Sequence, residues 1–271
     1  MENGIPKVSV IIPAYNMGDY VGRAVASILE GNFKELEVLV IDDGSTDRTT
    51  EVLASFVNPK HAAYDARVHY VHQENKGKAS AVNKGLKMAR GSYVTILDAD
   101  DEFTPHSLSS RYPTNGSQPD MIIGGFEVFD TRGVLGVRNE PSSENPEQLK
   151  RSILMAYKTP FSLNTCLLSR ALVERAGDFD VRLTRCQDID YSLRCLKQTD
   201  NITAAPAIVY RYRKHRTSIK NRLRFRYKTT FHRPRVVWKN AEGVSKFFLV
   251  PYGIGMDIAK MAFELVGNYT K

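Results

Sequence analysis

Apolar positions in the first hundred residues switch between two periods. "VSVIIPAYN" (from Val8), "LEVLVIDDGS" (from Leu36), "RVHYVH" (from Arg67) and "SYVTILDAD" (from Ser92) are strand-length runs rich in β-branched and apolar residues. Near-continuous rather than alternating apolar character is what a strand covered on both faces requires. Between these runs the spacing becomes helical. "YVGRAVASILEG" puts Val21, Val25, Ile28 and Leu29 on one face and stops at Gly31, and "TDRTTEVLASF" follows the second run. "NKGKASAVNKGLKMARG" groups Ala79, Val82, Leu86 and Ala89 ahead of Gly91. This strand–helix alternation predicts an α/β fold with a parallel sheet flanked by helices on both sides.

Beyond Asp100 the rhythm loosens. "PDMIIGGFEVFD" reads as a strand near an edge of the sheet, and "NPEQLKRSILMAY" as a helix started by Asn145 and Pro146. "NTCLLSRALVERAG" is a short strand running into a helix that Gly177 stops. "DIDYSLRCLKQ" is a helix with Ile189, Leu193 and Leu196 on its apolar side, and "AAPAIVYRYR" a final strand. There is no internal repeat and no low-complexity segment. The expected organisation is one α/β domain over residues 1–213 with an extension over 214–271.

Composition changes this picture mainly at the C-terminal end. With 271 residues, 42% hydrophobic and 25% charged, the chain has a soluble globular composition. "MENGIPKVSV" has no basic region followed by an apolar core, so no secretory signal is expected. No apolar stretch of about 18 residues predicts a transmembrane helix. Cys166, Cys186 and Cys195 form no CxxC pair and are expected to be reduced thiols of a cytoplasmic protein. The net charge of +8 is unevenly placed: residues 201–241 hold twelve Lys and Arg and no Asp or Glu, and the remainder sums to −4. A basic extension on a mildly acidic body points to an anionic partner, either a phosphate-bearing ligand or an anionic membrane surface.

In parallel α/β sheets ligands bind outside the carboxyl ends of the strands. Three polar clusters fall there: Ala14-Tyr15-Asn16, "DDGSTD" (Asp42 to Asp47) and "DADD" (Asp98 to Asp101). In the second, Gly44 permits a tight turn and Ser45 or Thr46 can cap the next helix. That leaves the adjacent Asp42 and Asp43 unexplained, and a carboxylate at Asp43 suits a ligand N–H such as a nucleobase imide. In the third cluster, Asp98 and Asp100 lie two apart on an extended chain and leave on the same side. Two converging carboxylates suit a hard dication, Mn²⁺ or Mg²⁺. Asp101 is expected behind them, and Glu102 as the solvated start of a helix near Thr104-Pro105.

Taken in order and spacing, "VSVIIPAYN", "LEVLVIDDGSTDRT", "ENKGKASAVNKGL", "ARGSYVTILDADD" and "CQDIDYSLRCL" resemble the family 2 glycosyltransferases of GT-A fold, over about Val8 to Ile219. The resemblance implies a Rossmann-like, mostly parallel sheet flanked by helices, with a basic, partly helical extension. It also implies metal-dependent inverting transfer from a nucleotide-sugar, with UDP the expected nucleotide, to a hydroxyl of a glycan or lipid-linked acceptor in cell-surface polysaccharide synthesis. On this resemblance Pro13 and Tyr15 flank the nucleobase, Tyr15 stacking on it and Asp43 contacting it. Asn75, Gly77 and Lys78 form the loop over ribose and phosphates. Asp98 and Asp100 are the DxD pair, Asp100 holding the metal and Asp98 meeting both metal and donor. The family often has Ala-Arg-Asn where this chain has Ala81-Val82-Asn83, and Lys78 is a substitute for that Arg. Asp188 in "QDID" takes the place of the catalytic base, with Gln187 replacing a Glu and Asp190 as fallback. His215 in "YRKHRTS" is similar to a His that approaches the metal or diphosphate.

The roles of the extension stay open at this level. Arg222, Arg224 and Arg226 alternate with Leu223, Phe225 and Tyr227. Such a segment could close over the diphosphate, contact the acceptor, rest on anionic phospholipid at the inner face of a membrane, or meet a second subunit in a homodimer. Two other function classes compete. A sugar-phosphate nucleotidyltransferase needs a Gly-rich, Lys/Arg-bearing loop after the first strand, which "PAYNMGDYVGR" is not. A basic nucleic-acid-binding module would use the Arg/aromatic alternation but leave the carboxylates without a purpose, so no nucleic-acid partner is expected.

Overall fold

The computed structural model describes residues 5–155, 160–215 and 232–241. In it the four apolar runs are strands β1 (Val8–Ala14), β2 (Leu36–Asp42), β3 (Val68–His72) and β4 (Tyr93–Ile96). They are parallel, in the order β3-β2-β1-β4. Every residue of β1, β2 and β4 is buried, the condition their apolar runs predict. Helices α1 (Val21–Leu29), α2 (Thr49–Val57) and α3 (Lys78–Met88) make the crossovers. Val8, Val10 and Ile12 pack on one side with Val21, Val25 and Leu53 of α1 and α2. Ile11 and Leu39 turn the other way, to Leu86 of α3 and Ala89 just beyond it. A Cβ at Gly85 would stand 2.5 Å from Ile11 Cγ2, so glycine sets how closely α3 lies on β1.

The chain continues through β5 (Glu102–Phe103), α4 (Ser107–Arg111), β6 (Met121–Asp130), β7 (Gly133–Arg138) and α5 (Pro146–Met155). It then forms β8 (Cys166–Ser169), α6 (Arg170–Ala176), α7 (Gln187–Leu196) and β9 (Ile202–Arg213). Among the described residues these join the first four strands in one nine-stranded sheet, which continues from β4 as β8-β6-β9-β5 with β7 on β6. Here β6 and β9 run parallel, whereas β8 is antiparallel to both β4 and β6. The sheet is therefore parallel in its first half and mixed in its second. β6 is an interior strand, not an edge: Met121, Ile122 and Ile123 are buried between β8 and β9. Its partner β7 ("GVLGVR") gives no strand signal, because two glycines break the alternation. Residues 232–240 form a further helix, α8.

Of the basic extension, Lys214, His215 and residues 232–241 are described. The sequence readings on Arg222 to Tyr227 lie outside the described residues. No described helix is long and apolar enough to cross a membrane.

Asp120 ties three elements of the second half together. It accepts hydrogen bonds from Ser169 Oγ and Thr199 Oγ1, both at 2.7 Å, and from the Arg175 guanidinium at 2.6 Å. Burial pushes its carboxyl pKa up, but Ser169, Thr199 and Arg175 outweigh it, and the net shift is below the ordinary value. A carboxylate whose folded-state pKa is depressed adds stability above its unfolded pKa of about 3.9, and that stability is lost as pH falls through the folded value. Unfolding midpoints are therefore expected to drop below about pH 4. Asp120→Asn is expected to lower stability at pH 7 by about 1–2 kcal/mol and to make the acid limb shallower. An acid limb identical in the variant would refute this role.

Candidate functional site

Because β1 to β4 are parallel, their carboxyl ends open on one rim. At β1, backbone direction alternates along the strand: Ile11 O accepts from Leu97 N on the β4 side, and Ala14 O accepts from Asp43 N on the β2 side. Pro13 therefore presents its missing N–H toward β4, at the point where β4 has already left the ladder. Pro13 itself is buried in the strand. Tyr15 follows at the mouth, 47% exposed. Asn16 adopts φ +53°, which Asn tolerates better than most residues. Its side chain accepts from Thr46 N (2.8 Å), and its own amide donates to Ser45 Oγ (2.9 Å), locking the exits of β1 and β2 together.

The two adjacent aspartates after β2 divide their work. Asp42 is fully buried and accepts from Ser45 N (2.9 Å) and Tyr70 Oη (2.9 Å). Asp43 accepts from Gln73 Nε2 (2.8 Å), Lys76 N (2.9 Å) and Gly77 N (2.8 Å). It thus organises the loop from 73 to 77 that was expected over the nucleotide. Gly44, at φ +77°, is needed here: a Cβ on it would stand 2.8 Å from Asn75 N. Asn75 and Lys78 are exposed on this loop and at the start of α3. Val82, where the family often has Arg, is in the apolar core, so no cation can replace that Arg from this position.

Beyond β4 the chain turns, with Asp101 N donating to Asp98 O (3.0 Å). Asp98 and Asp100 converge through this turn, not through the extended spacing the sequence suggested. One carboxylate oxygen each from Asp98, Asp100 and Asp101 lie within 4.8 Å of one another. Asp98 and Asp100 keep 25% and 26% of their side chains exposed, whereas Asp101 keeps 2%. Asp101 is held from below, accepting from Tyr210 Oη (2.6 Å) and Arg213 N (2.6 Å). Asn164 Nδ2 donates to the same Tyr210 oxygen (2.9 Å). Burial raises the Asp101 carboxyl pKa to about 7 against these hydrogen bonds, with Asp100 and Asp98 adding to the rise. The oxygen donors gathered in this turn fit a hard dication. Glu102 is not a solvated helix start. It is buried in β5 and paired with Arg211 and Arg213 of β9.

Two basic groups face the pair that opens to solvent. Lys78 Nζ is 2.5 Å from Asp98 Oδ1, and His215 Nε2 is 2.8 Å from Asp100 Oδ2. The His215 ring also meets Tyr20 edge-on at 5.1 Å. Desolvation opposes the charge on Lys78, yet Asp98, and after it Asp188 and Asp100, raise its pKa. Asp188 thus lies within electrostatic reach of the same mouth, exposed in the first turn of α7. Asp190, the fallback base, is fully buried and cannot meet a substrate. It is bound within α7 by Arg194 Nε (2.9 Å), and from α8 by Lys239 Nζ (3.1 Å) and Asn240 Nδ2 (3.1 Å), which fasten α8 to α7. The rim therefore carries Tyr15, Asn75, Gly77, Lys78, Asp98, Asp100 and His215, with Asp43 buried beneath the 73–77 loop and Asp188 within electrostatic reach.

Sequence reasoning missed Tyr210, Asn164 and Arg213, which hold the acidic turn from beneath. The available signal was the "YRYR" at the end of the final strand, but nothing in it shows that β9 returns beside β5. A hollow of about 530 Å³ near Glu37, His69, Tyr70 and Arg90 lies off this rim. There the Glu37 carboxylate already accepts from Ser9 Oγ (2.6 Å) and Arg90 Nε (2.8 Å).

Comparison with known proteins agrees with this fold. The family model described as glycosyl transferase family 2 matches residues 9–176, from β1 through α6. Glycosyltransferase GlyG of Streptococcus pneumoniae is 36% identical over 125 residues, which are 45% of this chain and 40% of that protein. The match thus spans well under two thirds of that relative. Among solved structures, S. aureus TarS 1-349 in complex with UDP-GlcNAc is 19% identical at a TM-score of 0.62, covering 90% of this chain and 70% of that one. The mannosyltransferase PcManGT of Pyrobaculum calidifontis, in complex with GDP-Man and Mn²⁺, is 18% identical at a TM-score of 0.62, covering 99% of this chain and 76% of that one. At such identities the two structures establish the shared fold. Asp188 and His215 fall beyond the matched 9–176.

Proposed function

The chain belongs to glycosyl transferase family 2, and from that premise we propose that it moves a sugar, with inversion, from a nucleotide-sugar to an acceptor hydroxyl. A UDP-sugar is the proposed donor, and a glycan or lipid-linked glycan the proposed acceptor. The observation that carries this reading is the convergence of Lys78, Asp98, Asp100 and His215 at one mouth, with Asp188 in electrostatic reach. Tyr15 supplies an exposed ring for the base, and the loop organised by Asp43 covers the ribose and diphosphate. Asp98, Asp100 and His215 would hold Mn²⁺ or Mg²⁺, which when bound offsets the charge developing on the leaving diphosphate. Asp188 accepts the proton of the attacking hydroxyl on the face opposite the leaving group. An acceptor hydroxyl is a weak nucleophile near neutral pH, and a positioned base of this kind contributes about 10²–10⁴-fold. The basic extension is assigned to an anionic acceptor or lipid surface, on the strength of its charge.

A thermal-shift screen of UDP-, GDP- and dTDP-sugars with Mn²⁺ tests the donor assignment. A donor at 100 times its Kd stabilises by about 2.7 kcal/mol, which raises the Tm of a chain this size by about 5–10 °C. Uridine nucleotides are expected to give that shift. If no nucleotide-sugar moves the midpoint, the reading fails.

A further inference from the structure

Lys78 occupies an unusual place for a residue expected to bind a diphosphate. It opens α3 directly after Gly77, whose amide is held by Asp43, so its side chain reaches from the loop organised by Asp43 to the acidic turn. Its ammonium rests on Asp98 Oδ1 at 2.5 Å. That carboxylate belongs to the oxygen cluster that would receive a dication. An ammonium and a dication sharing one carboxylate repel each other, and the effect is strong where water is partly excluded. Half of the Lys78 side chain is nevertheless exposed, and its four-carbon stem can swing. His215 on Asp100 differs, because a neutral imidazole can itself become a metal ligand.

We infer that Lys78 is an exchangeable counter-ion: in the donor-free protein it neutralises Asp98 in competition with the dication, and the donor's diphosphate draws it away. This rests on the donor reading above and deepens it. Metal entry and donor entry are then coupled. The diphosphate takes Lys78 from Asp98, Asp98 becomes free for the cation, and by linkage each ligand tightens the other by the same factor. The same residue that holds the diphosphate also keeps the metal site weak until a donor arrives.

The test is a Mn²⁺ titration of the full chain, followed by the electron paramagnetic resonance signal of free Mn²⁺, with and without UDP. Without UDP, Lys78→Met is expected to bind Mn²⁺ about tenfold more tightly than the unsubstituted protein, equivalent to about 1.4 kcal/mol. UDP binding to the same variant weakens, and its tightening of Mn²⁺ shrinks. Lys78→Arg keeps the original behaviour. His215→Ala moves donor-free Mn²⁺ affinity the opposite way, which separates loss of a ligand from loss of a competitor. Thermal unfolding checks that each variant is folded. Mn²⁺ affinity in Lys78→Met equal to or weaker than that of the unsubstituted protein overturns the inference while leaving the donor reading intact. A protein that binds neither UDP, GDP nor Mn²⁺ removes both.

Discussion

Replacing Asp188 by Asn is expected to abolish transfer while donor binding survives. Asp188 is exposed at the start of α7, on the side of the mouth where it raises the pKa of Lys78. Asn keeps the shape and size of the side chain and removes its basicity. The cost to the helix is the lost favourable placement of a negative charge at an N-terminus, about 0.3–1 kcal/mol. The cost to the reaction is the proton acceptor, so kcat should fall by about 10²–10⁴-fold with little change in UDP affinity by isothermal titration. Asp190→Asn supplies the contrast. Asp190 never reaches the mouth, since Arg194, Lys239 and Asn240 enclose it, so its loss should lower the unfolding midpoint. An active Asp188→Asn enzyme, or one that no longer binds UDP, would remove Asp188 from the role of base.

How much of this was legible in the chain depends on the length over which residues act. β1 to β4 and their helices could be read because each is covered on both sides, and covered strands write near-continuous apolar runs. The rim followed from that, since parallel strands bring their carboxyl ends together. The second half resisted because its pairing is non-local: β6 is interior only because β8 and β9 flank it, and β5 is two residues long. Local chemistry was misjudged in the same place. Glu102 looks solvent-facing beside three aspartates, until Arg211 and Arg213 arrive from β9. Asp190 looks like a second candidate base, until α8 closes over it. In both cases the deciding partner is distant in sequence, 109 residues away for Glu102 and Arg211 and 50 for Asp190 and Asn240.

Chelation of divalent metal is expected to reduce transfer to background, with Mn²⁺ restoring it. Asp98, Asp100 and Asp101 bring carboxylate oxygens within 4.8 Å, and among the described residues Lys78 and His215 lie on the open pair. A leaving nucleoside diphosphate adds further negative charge at this mouth, and Lys78 cannot neutralise both it and Asp98. Asp98, Asp100 and His215 would hold a dication there, which would offset that charge, an effect of several kcal/mol on the transition state. Asp100→Asn is expected to reproduce the chelated state, because it removes an oxygen ligand while the fold keeps Asp101 on Tyr210 and Arg213. Activity should then fall by at least about 100-fold, with excess Mn²⁺ recovering only part of it. Transfer that runs undiminished in EDTA would mean that Lys78 and His215 suffice for the leaving group. The acidic turn would then be a structural feature holding β9 to β5, and the metal assignment would fall.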